Sequence, residues 1–396
     1  MSKENFRVLR QLLMEKLDLS RELSDEEILE TIDGLILNKM RESCIALKEK
    51  VQLRQELFYS VRKLDVLQEL VEDETVTEIM VNGPDTIFIE RDGKLVRWPK
   101  AFTSKEKLED VIQQIVGRCN RVVNESMPIV DARLDNGARV NAVIQPVALN
   151  GPILTIRRFP DRPITMEKLI DLGSITRECA QFLACLVKAR YSMVIGGGTG
   201  SGKTTFLGAL SEYIPKDERL ITIEDNAELK IQGIANLVRL EAKMANVEGG
   251  ASIEIRDLIR TALRMRPDRI IVGEVRGGEA VDMLQALNTG HDGSLSTAHA
   301  NSSKDMLSRL ETMTLMGVEL PLEAIRRQIA SGVDILVHLG RLRDKTRKVL
   351  EVTEVCGFEE NEIKIRPLFR WKEGEGLVRD TPLLHREKLE RAGVEI

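Results

Sequence analysis

One run of the sequence has the residue types and spacing of a phosphate-binding loop. GGTGSGKT, residues 197–204, fits the pattern G-x-x-x-x-G-K-[ST] at every required position. Glycines let backbone N–H groups close around phosphates, Lys203 can reach the β- and γ-phosphates, and the Thr204 hydroxyl can bind Mg²⁺. An apolar run precedes the motif and a helical run follows it, so a helix N-terminus would face the phosphates. The sequence therefore predicts a site for ATP and Mg²⁺. Its predicted binding residues are Gly197, Gly198, Thr199, Gly200, Ser201, Gly202, Lys203, Thr204 and Thr205.

Two apolar runs downstream each lead into an acidic residue. The run LITI is followed by Glu224 and Asp225, and the run RIIV is followed by a glycine and then Glu274. Ligands of parallel α/β sheets bind beyond the carboxyl ends of the strands, so both acidic groups are predicted to face the phosphate loop. The second run lacks the aspartate that usually ends such a strand. We expect Glu274 to hold Mg²⁺ through water or to act as general base, with Glu224 as the alternative base and a further Mg²⁺ ligand. Solvated turn carboxylates are the competing interpretation.

Two of the four histidines, His291 and His299, lie in TGHDGSLSTAHANS, residues 289–302. His299 follows the strand-like run GSLSTA and is predicted to reach the same sheet edge, where it could sense the γ-phosphate or link it to a neighbouring subunit. A structural histidine at a strand end is the alternative. His291 precedes the run, so shaping the turn is an equally good interpretation of it.

The charge that develops on the γ-phosphate during transfer is commonly stabilised by an arginine. Most arginines are solvated surface residues, so the sequence does not choose among the candidates. These are Arg139, Arg157 and Arg158 upstream of the phosphate loop and Arg264, Arg266 and Arg276 downstream of it.

The elements that must position these residues alternate between strand and helix. The runs YSMVI, RLITI, RIIVG and GSLSTA are separated by helical segments, which predicts an α/β fold with a mostly parallel sheet. Three later runs, DILVHLG, KVLEVTEVCGF and EIKIRPLFRW, predict strands of antiparallel character.

Two smaller parts precede this domain. The first is helical in pattern, with a capping box at Ser24 and Glu27. The second combines short strands, a hairpin around Asn136-Gly137 and a helix for which Thr103 and Glu106 have capping-box spacing. The predicted parts are a helical module, 1–71; an α+β domain, 72–159; a proline-containing linker, 160–165; and the α/β domain, 166–396.

The composition excludes several classes of protein. The net charge of −5 and the aromatic content of 4% give no reason to expect nucleic-acid binding. No run approaches the roughly 18 apolar residues that a membrane-spanning helix needs, and the charged N-terminus is unlike a secretory signal. The five cysteines are scattered and form no C-x-x-C pair. We expect a cytoplasmic protein with reduced thiols, without direct membrane insertion, that associates with a membrane only through partners.

In these motifs the chain resembles the secretion ATPases of the type II/type IV superfamily, and within it the CpaF family that powers tight-adherence (Flp) pilus assembly. The resemblance covers about residues 70–370. It rests on the runs NESMPIVDARLDNGARVNAVIQPVALNGPILTIRRF, GGTGSGKTTFL, ITIEDNAEL, RMRPDRIIVGEVRGGEA and TGHDGSLSTAHANS. The eight-residue separation of the two histidines fits the pilus-assembly and type IV branch, because type II secretion and retraction motors typically have seven. The chain lacks the four-cysteine zinc module of the type II members, and its first 65 residues have no match.

The resemblance implies a RecA-like motor domain joined to an N-terminal domain and assembled as a ring-shaped homo-hexamer, with ATP between the two domains. It implies a Walker A loop at 197–204, an Asp box with Glu224 and Asp225, a Walker B glutamate at Glu274, and a His box with His291 and His299. It also implies that Arg139 and Arg157 approach the γ-phosphate and that an inner-membrane platform protein is a partner.

Three functions remain open at this point. The first is a cytoplasmic motor, peripherally associated with the inner membrane, that powers pilus assembly or protein secretion. The second is a type IV secretion or conjugation ATPase that assists DNA or nucleoprotein transfer, although the acidic balance disfavours a motor that acts on nucleic acid directly. The third is a scaffold that binds nucleotide without hydrolysis. It is disfavoured because the chain has all four residues expected of a hydrolysing site: Lys203, Thr204, Glu224 and Glu274.

Overall fold

The computed structural model describes residues 3–17, 21, 23–42, 47–91, 93–119, 121–134, 136–158, 163–243 and 251–396. The chain divides into two compact units, residues 1–160 and 161–396. The finer predicted boundaries at residues 71 and 159 stay predictions. Of the predicted linker, 160–165, residues 160–162 lie outside the described residues.

The first unit opens with helices that pack on one another. Leu13, Ile32 and Leu57, one from each of the first three helices, are fully buried in a shared apolar cluster. The Ser24 hydroxyl accepts from the Glu27 N–H at 3.2 Å and the Glu27 carboxylate accepts from the Ser24 N–H at 2.9 Å, so the predicted capping box is confirmed. The helices are α1 (Lys3–Lys16), α2 (Asp25–Glu42), α3 (Leu47–Arg62), a 3₁₀ turn (Asp65–Leu67) and α4 (Gln68–Glu72).

An antiparallel six-stranded sheet and one helix complete the first unit. The strands are β1 (Val76–Asn82), β2 (Ile87–Arg91), β3 (Lys94–Arg97), β4 (Ile129–Arg133), β5 (Arg139–Val143) and β6 (Ile153–Arg157), in the order β3-β2-β1-β6-β5-β4. Helix α5 (Lys105–Arg118) packs its apolar stripe against this sheet. Strands β4 and β5 form the hairpin predicted around Asn136-Gly137, where Gly137 has a φ of +83°.

The start of α5 differs from the sequence-based prediction by one residue. Ser104, not Thr103, is the N-cap, and its hydroxyl accepts from the Lys107 N–H at 3.2 Å. The Thr103 hydroxyl instead accepts from Arg10 of α1 at 2.9 Å. Serine and threonine are both good N-cap residues, so the two positions differ only in the long-range contact of Thr103 with Arg10.

The second unit is built on a nine-stranded sheet in the order β15-β14-β13-β12-β7-β11-β10-β8-β9. The six strands from β12 to β9 in that order are parallel, and β13, β14 and β15 add antiparallel pairs at one edge. The bounds are β7 (Met193–Gly197), β8 (Leu220–Glu224), β9 (Leu237–Glu241), β10 (Arg269–Val275), β11 (Leu295–Ala298), β12 (Ile335–Arg341), β13 (Arg347–Glu359), β14 (Glu362–Lys372) and β15 (Gly376–Arg379). The predicted α/β fold with a mostly parallel sheet is confirmed, and β12 proves to be parallel to β7 rather than purely antiparallel.

Helices cover both faces of this sheet and create two apolar clusters, one on each side. Helices α7 and α8 pack in the first cluster, and α9 to α12 pack in the second. The helices are α6 (Met166–Asp171), α7 (Arg177–Lys188), α8 (Lys203–Ser211), α9 (Ile255–Ala262), α10 (Ala280–Asn288), α11 (Ser303–Gly317), α12 (Leu322–Gly332) and α13 (Glu387–Ala392). Among the described residues, none of the helices is both long and apolar enough to cross a bilayer.

Candidate nucleotide-binding site

The phosphate loop, residues 197–204, connects the buried strand β7 to helix α8. Its backbone needs glycine at several positions. Gly200 and Gly202 have φ values of +71° and +92°. A Cβ at Gly197 would lie 2.4 Å from the Ser201 hydroxyl and 2.6 Å from the carbonyl oxygen of Leu339. The loop is therefore a tight backbone turn with little room for side chains, as the motif predicts.

The loop has the groups that a phosphate requires. Helix α8 begins at Lys203, and its N-cap, Gly202, offers no side-chain acceptor to the N–H groups of the first turn, which include those of Thr204 and Thr205. The Ser201 hydroxyl is buried and has no hydrogen-bond partner among the described residues. Unsatisfied donors and a positive helix end fit the oxygens of a bound phosphate.

Lys203 is folded back onto the loop. Its side chain is only 8% exposed, and Nζ donates to the carbonyl oxygens of Gly197 at 3.2 Å and Gly198 at 3.3 Å. Burial lowers the pKa of Lys203, and Glu274, 3.9 Å from Nζ, opposes that shift. The ammonium thus has only weak neutral acceptors and one distant carboxylate, which phosphate oxygens could replace.

Glu274, His299 and Lys203 form one cluster at the carboxyl ends of β10, β11 and β7. Glu274 Oε1 lies 2.7 Å from His299 Nε2, and Lys203 Nζ lies 3.4 Å from His299 Nδ1. An ammonium can only donate, so Nδ1 is the acceptor and the imidazole proton is on Nε2, beside Glu274. Burial lowers the pKa of His299, with Glu274 opposing and Lys203 adding to the shift. The histidine is therefore neutral at pH 7.

Arg276 completes this cluster on its exposed side. Its guanidinium donates to Glu274 Oε2 from Nε at 2.9 Å and from Nη2 at 2.5 Å, and Nη1 lies 3.7 Å from Asp225. Of the six candidate arginines, this one contacts the carboxylate cluster directly. The sequence could not single it out, because the contact depends on strand register and on the reach of the side chain.

Glu224 ends the neighbouring strand β8 in a different environment. The side chain is buried, Oε1 accepts from the N–H groups of Glu228 and Leu229 at 2.9 Å each, and Oε2 has no partner among the described residues. Burial raises the pKa of Glu224 to about 7. A Cβ at Gly273 would lie 2.8 Å from Glu224 Cγ. Glu224 thus fills the space of a side chain at position 273, which explains why β10 carries glycine where an aspartate is usual.

The two histidines lie at opposite ends of β11. His291 precedes the strand, its Nδ1 is 3.3 Å from the carbonyl oxygen of Ala286, and its own carbonyl accepts from the Ser294 hydroxyl at 2.7 Å. These contacts hold the turn between α10 and β11. His299 follows the strand and lies in the cluster with Lys203.

Of the other candidate arginines, Arg264 and Arg266 lie in the second unit, and three lie in the first unit. Arg139 on β5 and Arg157 on β6 are directly paired across the sheet, and Arg139 Nη2 is 3.8 Å from Asp131. Arg158 donates to the carbonyl oxygen of Asp73 and so joins β6 to the end of α4. A role for Arg139 or Arg157 at the γ-phosphate stays a prediction.

One contact of the loop was not predicted. Arg347, at the start of β13, donates from Nε to the carbonyl oxygen of Gly200 at 2.8 Å. The only signal in the sequence is the basic run RLRDKTRK, 341–348, which by itself is typical of a solvated turn.

A metal ion at this site would have few protein ligands. Within the described ranges, no group of three or more histidine, cysteine or acidic side chains could hold an ion. Magnesium beside nucleotides typically takes one or two protein oxygens and completes its shell with phosphates and water. The predicted ligands, Thr204, Glu224 and Glu274, are oxygen donors of the kind that this requires, and their binding of Mg²⁺ stays a prediction.

The parallel sheet, the helices on both faces and the phosphate loop after β7 define a RecA-like α/β fold. Two solved structures share it: the pilus retraction motor PilT with bound ADP, with a TM-score of 0.52 and 18% identity, covering 83% of this chain and 86% of that one; and the ATPase DotB of Legionella pneumophila, with a TM-score of 0.52 and 20% identity, covering 74% and 80%. At these identities the likeness concerns the fold alone.

The chain belongs to the family described as type II/IV secretion system protein, whose match covers residues 61–372. It is 35% identical over 328 residues to a putative conjugal transfer protein of Mycobacterium tuberculosis, covering 81% of this chain and 91% of the relative. It is 34% identical to the conjugal transfer protein TrbB of Rhizobium radiobacter, covering 76% and 92%. It is 33% identical to the type IV secretion system protein VirB11 of Brucella suis, covering 70% and 84%. These relatives support the superfamily of the predicted resemblance, but they do not support the CpaF branch specifically.

Proposed function

We propose that the protein is an ATP-hydrolysing motor of a type IV secretion or conjugal transfer machine. The observation that carries this proposal is the cluster of Lys203, His299 and Glu274 at the mouth of the phosphate loop. Relatives named as conjugal transfer and type IV secretion proteins supply the biological setting. A motor of tight-adherence pilus assembly is the second candidate, supported by the sequence runs that resemble the CpaF family.

In this proposal the loop N–H groups and Lys203 bind the phosphates, and the Thr204 hydroxyl binds the metal ion. Bound Mg²⁺ would neutralise charge on the β- and γ-phosphates. Glu274 is the base that orients and deprotonates the attacking water, since it is an ionisable group placed beside the loop with a neutral imidazole next to it. His299 senses the γ-phosphate, because the same imidazole contacts both Lys203 and Glu274.

Glu224 is proposed to act beside the metal ion rather than as the base. Its Oε1 is occupied by two backbone N–H groups, and its buried Oε2 has no partner among the described residues. Arg139 and Arg157 are proposed to reach the γ-phosphate from the first unit, in a ring of six subunits. The ring is proposed to work in the cytoplasm against an inner-membrane platform protein.

The decisive experiment measures ATP hydrolysis and particle mass together. Wild type with nucleotide is expected to form a particle of six copies and to hydrolyse ATP without stimulation by DNA. Lys203→Ala removes the phosphate-binding cation and should abolish nucleotide binding and hydrolysis, while the surface variant Lys364→Ala should match wild type. A correctly assembled wild-type ring without turnover would instead indicate a scaffold, and strong stimulation by DNA would indicate a nucleic-acid motor.

The machine served is tested in the native host. Deletion of the gene is expected to abolish conjugal or protein transfer. Complementation with wild type should restore transfer, and complementation with Glu274→Gln should not. Loss of surface pili with normal transfer would favour the second candidate.

A further inference from the structure

The contact between Arg347 and the phosphate loop joins two parts of the chain that the motif does not connect. Arg347 Nε donates to the Gly200 carbonyl oxygen at 2.8 Å. The Cδ atom of the same side chain lies 3.4 Å from where a Cβ on Gly202 would be. The arginine therefore lies directly along the loop, one residue before the helix that presents Lys203.

The hairpin that carries Arg347 is held firmly. Strands β12 and β13 pair Arg341 with Arg347, and in the turn Asp344 accepts from the N–H and the hydroxyl of Thr346 at 2.9 and 2.7 Å. The Leu339 carbonyl oxygen would lie 2.6 Å from a Cβ at Gly197, so hairpin and loop are in backbone contact. The position of Arg347 is thus set by the sheet and not by a mobile tip.

The hairpin is basic, and two of its other charged side chains make contacts away from the phosphate loop. Residues 341–348 contain five basic residues and one acidic residue, Asp344, which forms the turn. Lys348 donates to the Gly173 carbonyl oxygen at 2.6 Å and lies 5.7 Å from the ring centroid of Trp371. Arg347 is exposed, and its two terminal guanidinium nitrogens have no acceptor within the described part of the chain.

We propose that Arg347 is a second phosphate-binding cation, supplied by the same chain as Lys203. Its Nε holds the loop through Gly200 while the terminal nitrogens bind a phosphate oxygen of the nucleotide, a task for which the planar guanidinium is well suited. This inference rests on the proposed nucleotide site. It concerns a residue in the motor unit itself, unlike the predicted arginines of the first unit, Arg139 and Arg157.

The test is equilibrium binding, which does not depend on turnover. Binding of a fluorescent ADP is measured for wild type and variants, with competition by ATP and by pyrophosphate, which has phosphates but no base. Arg347→Gln should lower the affinity for ADP and for pyrophosphate by about 10-fold each, which is the effect of losing one charge-assisted hydrogen bond. The matched control, Arg343→Gln on the same hairpin, should stay within about twofold because only screened charge is lost.

Arg347→Lys keeps the positive charge but lacks the planar guanidinium group, so it should lower the affinity for pyrophosphate by about threefold. This variant decides the question if Arg347→Gln does not fold. Unchanged pyrophosphate affinity in the Arg347 variants, or an equal loss in Arg343→Gln, would overturn the proposal. Failure of wild type to bind the fluorescent ADP, with Lys203→Ala no different, would contradict the proposed function instead.

Discussion

Glu224 and Glu274 end neighbouring parallel strands, β8 and β10, yet the protein surrounds the two carboxylates in different ways. Glu274 is next to cations and a histidine: Arg276 binds one oxygen, His299 lies 2.7 Å from the other, and Lys203 is 3.9 Å away. Glu224 is buried with two backbone N–H groups on one oxygen and nothing on the other, and its pKa is raised to about 7. The sheet delivers both groups to one edge, and the groups that surround them there are different.

The difference supports the separate roles proposed for the two groups. Glu274 lies beside Arg276, His299 and Lys203 and is the group proposed to accept a proton from water. The desolvated carboxyl group of Glu224, in contrast, is near the midpoint of its titration at neutral pH. Glycine at position 273 is part of the same arrangement, because Glu224 occupies the space that a side chain there would need.

Glu274→Gln is expected to have the largest effect. Replacing the carboxyl group by an amide removes the proposed proton acceptor, so the turnover rate should fall by about 10³-fold while ATP still binds. Single-turnover hydrolysis and fluorescent-nucleotide binding measure the two separately, with the surface variant Glu323→Gln as control. Turnover near the wild-type rate would move the base to Glu224 and reverse the comparison.

Glu224→Gln should reduce turnover less, and its main signature is the pH dependence of stability. Because the folded-state pKa is raised from 4.5 to about 7, the stabilisation from this group is complete below pH 4.5 and is lost as the pH rises to about 7. The loss in wild type is about 3 kcal/mol. Thermal unfolding of both proteins should therefore show that the stability of the variant increases relative to that of wild type as the pH rises from 5 to 8. A difference that does not change with pH would contradict the buried, half-titrated carboxylate.

These surroundings could be predicted from the sequence only in part. The phosphate loop, the acidic strand ends and the position of His299 follow from local motifs and from the rule that parallel strands present their carboxyl ends together. Strand β9, residues 237–241, was not predicted. It is a short edge strand whose residues are half-buried or exposed, so its sequence lacks the apolar run that marks the buried strands. The start of α5 was predicted one residue early, since Thr103 and Ser104 are both competent caps.

The contacts that tune the site could not be predicted. Arg347 is 147 residues away in the sequence from the carbonyl group that it binds, and the choice of Arg276 over its neighbours depends on strand register and side-chain reach. Glycine at 273 looks like a missing ligand until the packing of Glu224 against it is known. Local sequence patterns predict where strands end, whereas the contacts between side chains of different strands depend on long-range packing.

His299→Gln, which changes the surroundings of Glu274, should have a moderate effect on turnover. Losing a neutral imidazole between Lys203 and Glu274 should lower turnover by about 3- to 10-fold. Because burial lowers the pKa of His299 from its usual 6.5, the wild-type rate should show no step from this group between pH 7 and 8. The rate should fall only at lower pH, where the imidazole protonates and can no longer accept from Lys203. A rate step centred at pH 6.5 or above that is absent in the variant would contradict the neutral assignment.

His291→Gln should have the smallest effect on chemistry. The side chain contacts the Ala286 carbonyl group at the opposite end of the same four-residue strand, so turnover should stay within about twofold of wild type. Losing that hydrogen bond costs about 1 kcal/mol, so the melting temperature should fall by about 2–4 °C. Equal kinetic losses in the two histidine variants would mean that both ends of β11 act on the nucleotide, which the separation of the two side chains argues against. A drop in melting temperature for His291→Gln with no kinetic change would show that one histidine of the pair holds the turn and the other serves the site.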